Sequence, residues 1–315
     1  MSEGNEAYTS PCCASCGMAE SDDIKLKKCT ACQLVRYCGV ECQREHRPQH
    51  KRDCKKRAAE LRDEILFKQP ESSHLGDCPI CMIPLSLDLN KSTMASCCSK
   101  MICLGCAHAD MIRVVQESLD PTCPFCRKPV PTEEEVLENI MKRIEANDPV
   151  AMCQQGGICQ KKEDYSGAIE YFTKAARLGD VAAHYHLSVL YGKGEVVEKN
   201  EKKKIYHLEE AAIGGHPSGR YDLGLTEEGN GKFDRATKHY IIAAGQGHDR
   251  SMKRLVENYK RGLVKKEDLE AALRVHHAAV DETKNPQREA AEEYYPNQDE
   301  FFLLPEHSCS SIEHT

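Results

Sequence analysis

The sequence predicts a mainly α-helical chain in which two small cysteine-rich modules precede a solenoid of α-helical hairpin repeats. Three observations predict it. Sixteen of the nineteen cysteines lie before residue 127, they fall in short-spaced pairs, and self-similar helical segments follow them. With 315 residues and 40% hydrophobic content, the chain has room for two or three domains.

The opening residues carry no basic start followed by an apolar run, so no secretory leader is expected. No stretch reaches membrane-spanning length, and no membrane partner is expected. The expected location is intracellular, cytoplasmic and/or nuclear. In a reducing compartment dense cysteine pairs read as metal ligands, not as disulfides.

The first module spans residues 12–57. Cys13/Cys16 and Cys29/Cys32 are Cys-x2-Cys pairs, followed by Cys38-x3-Cys42 and His50-x3-Cys54. A Cys-x2-Cys turn presents two sulfurs to one ion, and an x3 spacing puts two ligands on one helical face. Eight ligands suit two tetrahedral zinc ions with no coordination position left open for water, so the metal is structural. So short a segment cannot bury enough apolar surface to fold without it. With the run CTACQLVRYCGVECQREHRPQHKRDC at its centre, the segment from Cys13 to Cys54 resembles a MYND zinc finger with all eight ligand positions filled. The resemblance implies interleaved ligands, with Cys13, Cys16, Cys38 and Cys42 on one zinc and Cys29, Cys32, His50 and Cys54 on the other. Cys12 is then a spare thiol or a substitute for Cys13. MYND fingers bind short proline-containing peptides beside a tryptophan, which is Arg47 here. The basic residues between Lys25 and Arg57 offset the thiolate clusters, and nucleic acid is not an expected partner.

A helix through Lys55–Phe67, with Leu61, Ile65 and Leu66 on its apolar face, leads into the polar linker QPESSHLGD, so residues 58–76 read as helix and linker. The second module, residues 77–131, contains Cys78/Cys81, Cys97/Cys98, Cys103/Cys106 and Cys123/Cys126. Eight thiolates again suit two zincs. The order resembles an all-cysteine RING. By that resemblance Cys78, Cys81, Cys103 and Cys106 hold one ion, and Cys97, Cys98, Cys123 and Cys126 hold the other. Adjacent Cys97 and Cys98 depart from the usual RING spacing and demand a strained backbone, with His108 as the alternative ligand or else a surface histidine. RING ubiquitin ligases act by positioning a ubiquitin-conjugating enzyme and its thioester-linked ubiquitin. The resemblance assigns Ile80 and Pro124 to the conjugating enzyme and Arg127 to a bridge with ubiquitin. The aromatic residue often found after the sixth ligand is Ala107 here. Fifteen ligand thiolates outweigh four divalent ions, so the loaded chain is more acidic than its formal charge of −7.

Residues 132–280 read as helical repeats. Thr132 and Glu135 form a capping box ahead of Val136, Leu137, Ile140 and Ile144 at helical spacing. KAARLGD, EEAAIGGH and IAAGQGH then recur, with Ala175, Ala211 and Ala243 in register at 36 and 32 residues. With YGKGEVVEKN from Tyr191 as the inter-helix loop, these units resemble Sel-1-like repeats, relatives of the tetratricopeptide class. The third unit has a shortened loop at Glu228–Lys232, and a fourth, residues 251–280, is degenerate. Such stacks present a concave face to protein partners. Cys153 and Cys159 read as structural cysteines, and His184, His186 and His207 as surface or packed histidines. Residues 281–315 read as an acidic disordered tail with one apolar island, DEFFLLP.

Two functions follow from these readings. One is a zinc-binding RING-type ubiquitin ligase or ligase subunit, with no covalent catalytic residue, that recruits substrates through the repeats and the first finger. The other is a non-enzymatic adaptor. Protein methylation, which accompanies some MYND fingers, lacks a cofactor-binding glycine motif in this sequence.

Overall fold

A computed structural model describes residues 12–194 and 197–295. The chain forms two compact units, divided between Lys68 and Gln69.

In the first unit β1 (Lys27–Lys28) pairs antiparallel with β2 (Arg36–Tyr37), and α1 runs Val40–Leu66. The sequence reads a continuous helix over Lys55–Phe67 and only helical turns at the x3 ligand spacings upstream; the structure joins them into one helix through Pro48. A proline inside a helix costs about 3 kcal/mol. Cys42 on one side of Pro48 belongs to one candidate ligand group, and His50 and Cys54 on the other side belong to a second.

The second unit opens with a 3-10 turn at Leu89–Lys91 and the hairpin β3 (Ser92–Ala95)–β4 (Lys100–Cys103), registered Ser92 opposite Cys103. Helix α2 (Leu104–Gln116) follows, capped by the Cys103 side chain. Helix α3 (Glu133–Glu145) starts with the expected Thr132/Glu135 capping box. Arg143 near its end donates to Ser99 Oγ and Asp148 Oδ2, both at 2.6 Å. One guanidinium thus ties the β3–β4 turn to the N-cap of the next helix.

Eight helices then pack as hairpins: α4 (Pro149–Lys161) with α5 (Tyr165–Arg177), α6 (Val181–Lys193) with α7 (Glu201–Ile213), α8 (Pro217–Gly229) with α9 (Phe233–Ala244), and α10 (Asp249–Lys260) with α11 (Lys266–Glu282). Ala175, Ala211 and Ala243 occupy the same position of α5, α7 and α9 and are fully buried. Close approach within a hairpin follows from a small residue facing a large one. A Cβ on Gly156 would lie 2.7 Å from the Phe172 ring, and one on Gly224 would lie 2.5 Å from the Tyr240 ring. Phe172 and Tyr240 are fully buried, each contributing roughly 1.5–3 kcal/mol by burial.

The helix starts share one device with varying chemistry. Asp148, Asp164, Asp180 and Asn200 accept a backbone N–H at the N-caps of α4 to α7. At α8 and α10 the acceptors are His216 and His248, through Nδ1 to Gly219 N (3.1 Å) and Ser251 N (3.3 Å). An imidazole can accept there only while Nδ1 is unprotonated. Burial pushes His216 well below its ordinary 6.5 and His248 down to about 4.

The stretch read as a polar linker and part of the stretch read as a disordered tail are built into the second unit. The linker lies against the turns between repeats: His74 N donates to Gly215 O (3.1 Å), Gln246 Nε2 to Ser72 O (3.3 Å), and the His74 and His216 rings stack at 4.1 Å. Gly215 is required here, with φ of 85° and Ser72 O only 2.9 Å from where a Cβ would stand. The disorder expected from residue 281 is corrected, since α11 continues to Glu282 and α12 spans Pro286–Tyr294. Asn285 caps α12, Pro286 occupies its first turn, and Ala291 is fully buried against Leu104 of α2. Composition hid this helix because one small face does the packing. The DEFFLLP island lies outside the described residues. No helix among the described residues is long and apolar enough to cross a membrane.

Candidate metal centres

Four of the Cys-x2-Cys pairs form the same local turn. After the second cysteine the chain enters the left-handed region, at Gly17 (φ 75°), Gln33 (57°), Met82 (56°) and Arg127 (62°). The N–H of that residue donates to the carbonyl of the first cysteine, at 2.9 Å for Gly17, 2.9 Å for Gln33, 2.8 Å for Met82 and 2.9 Å for Arg127. Each turn therefore aims two sulfurs to one side. Bridges at Cys12–Ala19, Asp77–Pro84 and Thr122–Pro129 close three of the four into miniature hairpins. Cys12 is exposed and stands in such a bridge, outside every ligand group among the described residues.

Helix α1 supplies Cys42, His50 and Cys54, with Cys38 just ahead of it, and the start of α2 supplies Cys103 and Cys106. Four groups result: Cys13, Cys16, Cys38 and Cys42; Cys29, Cys32, His50 and Cys54; Cys78, Cys81, Cys103 and Cys106; Cys97, Cys98, Cys123 and Cys126. In both modules the sets interleave along the chain, so each ion braces two distant segments.

The distances fit zinc. Tetrahedral ligands with Zn–S near 2.3 Å stand about 3.8 Å apart. Observed separations include Cys16–Cys38 at 3.6 Å, Cys29–Cys54 at 3.8 Å, Cys81–Cys103 at 3.8 Å, Cys97–Cys126 at 3.3 Å and Cys98–Cys123 at 4.0 Å. His50 presents Nε2 to Cys32 Sγ at 3.2 Å. A disulfide needs about 2.05 Å, so none of these pairs is oxidised. These residues fit four structural zinc ions, each with a closed four-ligand shell.

Electrostatics require the cation. Within each group the thiols split: burial and hydrogen bonds between neighbouring thiols push some up, while hydrogen bonds from backbone N–H groups and partner thiols hold others down. In the third, the hydrogen bond from Cys103 lowers Cys78 to about 4, and the same contact pushes Cys103 far upward. In the first, contact with Cys42 pushes Cys38 up to about 12. Burial works against ionisation at Cys13, yet N–H groups of Cys16 and Cys38 lower it to about 6. A divalent ion at the centre of a group lets its cysteines ionise together.

Adjacent Cys97 and Cys98 both point into the fourth group. The strain expected of them falls one residue later, on Ser99 (φ 53°), whose N–H donates to Ala95 O at 2.8 Å. His108 is neither ligand nor surface residue: it is buried, with Tyr294 and Tyr295 rings 4.8 and 5.4 Å away. Ile80 and Phe125 are each 41% exposed, on the turns of the third and fourth groups, and Pro124 is half-buried. Arg127 is exposed and lies 3.5 Å from Asp110 of α2, which also pairs with Arg113 at 2.8 Å. Arg47 is exposed on α1.

In the repeats, His184 and His207 meet Nδ1 to Nδ1 at 3.1 Å, and His186 stacks on Phe172 at 4.6 Å, so the histidine stripe is packed. Cys159 is buried and Cys153 half-buried. Sequence reasoning missed Glu228, a buried carboxylate at the end of α8. It accepts from Tyr240 Oη (2.9 Å), Arg254 Nη2 (2.9 Å), Arg261 Nη1 (2.8 Å) and Asn258 Nδ2 (3.3 Å). Burial would raise it, but those donors bring it down to about 2. The shortened loop drew attention to this position; the convergence of donors from beyond α8 left no local signal.

Known proteins share parts of this chain. Residues 13–54 match the MYND finger family, and residues 150–180 and 181–216 each match the Sel1 repeat. An uncharacterized protein of Neisseria meningitidis serogroup B, NMB1327, is 30% identical over 99 residues, 29% of this chain and 20% of its own length. The chain thus spans a fifth of that relative. A Sel1 repeat protein from Oxalobacter formigenes is similar at 26% identity and a TM-score of 0.36, covering 38% of this chain and 97% of its own. The c5321 protective antigen of uropathogenic Escherichia coli, described as an SLR fold, is similar at 17% identity and a TM-score of 0.31, covering 57% of this chain and 53% of its own. MYND fingers and Sel1 repeats are protein-interaction modules.

Proposed function

We propose that this chain is a protein-interaction scaffold whose second zinc module serves as a RING-type platform for a ubiquitin-conjugating enzyme, with substrates held by the repeats and the MYND finger. The observation that carries the reading is the interleaving of eight cysteines into two groups around exposed Ile80 and half-buried Pro124. Ile80 offers an apolar anchor to the conjugating enzyme, with Pro124 between two ligands of the fourth group and Arg127 as the cation toward ubiquitin. A substrate lysine amine then attacks the thioester carbonyl. An isopeptide bond forms and the enzyme's cysteine thiol departs. The scaffold contributes positioning and no covalent group.

Discharge of ubiquitin from a panel of charged conjugating enzymes, with free lysine as acceptor, tests this. With at least one enzyme the wild-type chain is expected to accelerate discharge, and Ile80→Ala or Arg127→Ala to slow it by about tenfold, the effect of losing one central interface anchor. No acceleration with any enzyme would reject the platform.

A second reading, the non-enzymatic adaptor, draws on the ion pair between Arg127 and Asp110, which already engages the proposed bridging cation. It predicts protein partners in pull-downs without any discharge.

A further inference from the structure

We infer that the second zinc module is completed by α12, from the far end of the chain, and that Arg288 is a positioning residue for the zinc held by Cys78, Cys81, Cys103 and Cys106. Arg288 is only 7% exposed. Its Nη1 donates to Pro84 O and Thr283 O, both at 2.7 Å, and its Nη2 to Ile83 O at 3.0 Å and Cys81 Sγ at 3.5 Å. Two of those carbonyls follow closely on Cys81, so one planar fork holds both the ligand sulfur and the segment leaving it.

Charge complements this geometry. Four thiolates and one zinc ion carry a net −2, and a buried guanidinium against one sulfur offsets half of it. Gln287 lies beside Cys106, with 4.0 Å between Sγ and Oε1, so the helix reaches both halves of the ligand set.

Steric fit holds the helix in register. Gly105, between ligands Cys103 and Cys106, has Arg288 N and Cα 2.9 Å from where a Cβ would stand. Further along, Glu292 pairs with Lys91 at 2.9 Å, and Tyr295 Oη donates to Met111 Sδ at 3.3 Å. The remaining three groups have no such cation on a ligand sulfur among the hydrogen bonds of the described residues.

The clamped segment belongs to the loop that carries Ile80. Arg288 therefore also fixes the presentation of Ile80, a consequence that rests on the proposed platform; the zinc readout below does not.

The test is zinc release from the full-length chain into excess chromogenic chelator, for the wild type, Arg288→Ala, Arg288→Lys and Glu292→Ala. Arg288→Ala is expected to release one equivalent about 10- to 100-fold faster, the usual effect of removing a partner of a metal ligand. The other three equivalents leave at wild-type rates. Arg288→Lys, which keeps the stem and charge but not the fork, is expected to fall between, and Glu292→Ala to match the wild type. Should Arg288→Ala lose helical structure altogether, Arg288→Lys decides. Wild-type release of all four equivalents from Arg288→Lys in that case, or from a folded Arg288→Ala, would overturn the inference. Acceleration of all four together would equally do so, because it would mean general unfolding.

Discussion

Stripping zinc from the chain is expected to unfold residues 12–131 while the repeats keep their helices. The buried apolar set of the first module is Leu26 and Tyr37 together with Cys13, Cys29 and Cys32, so most of its core is metal ligand. Around the fourth group, Ala95 is the only buried core member that is not a ligand among the described residues. Helix α1 buries only His50 and Leu66 along its length. Without the ion, thiols such as Cys38 and Cys54, pushed up to about 12 and about 11, retain their protons and the groups lose their attraction. Structural zinc supplies roughly 10–16 kcal/mol to such modules, comparable to the whole stability of an ordinary domain. Hydrogen exchange before and after chelation checks this. Amides in residues 13–54 and 78–126 should lose protection, while those in α4 to α10 keep it. Protection retained in both modules after complete zinc removal would refute the structural role.

Acidification from pH 7 to 5 is expected to destabilise the repeats. Burial holds His248 at about 4 and His239 at about 3, and pushes His216 well below the ordinary 6.5. Each is therefore neutral in the folded state at a pH where the unfolded chain binds a proton. Stability is complete above about 6.5 and falls as pH drops toward the folded values, since protons then favour unfolding. A tenfold difference in proton affinity between the folded and unfolded chain is worth about 1.4 kcal/mol, so three such imidazoles cost several kcal/mol by pH 5. For a chain of this size that lowers Tm by on the order of 10 °C. Glu228 adds a second window. Held at about 2 against an ordinary 4.5, it contributes stability above about 4.5 that is lost as pH falls toward 2. Thermal melts followed by circular dichroism, with zinc in excess, measure the first window. His248→Asn keeps a capping acceptor, as Asn200 does at α7, and should flatten the slope between pH 7 and 5. An unchanged slope in that variant would mean that His248 takes no part in the acid response.

The zinc ligands were legible because metal coordination imposes fixed short spacings that survive any surrounding sequence. Even adjacent Cys97 and Cys98 could be placed with their partners, although nothing local announced that Ser99 would take the unusual backbone. The hairpin repeats were legible through small residues recurring in register, as at Ala175, Ala211 and Ala243. Side chains working across long separations were not. Arg288 meets Cys81 from the other end of the chain, and the linker at Ser72–His74 packs on Gly215, with no periodicity in either segment to reveal it. The histidine caps were half visible. His216 and His248 begin their helices where Asp148 and Asp180 begin theirs, which marks them as acceptors, but their neutrality follows only from burial.

Both zinc modules depend on ligands that alternate between two ions along the chain. Replacing zinc with cadmium-113 and correlating each metal with cysteine β-protons by NMR reads that connectivity directly. One cadmium should couple to Cys78, Cys81, Cys103 and Cys106, and another to Cys97, Cys98, Cys123 and Cys126. A metal coupled to Cys78, Cys81, Cys97 and Cys98 would contradict it.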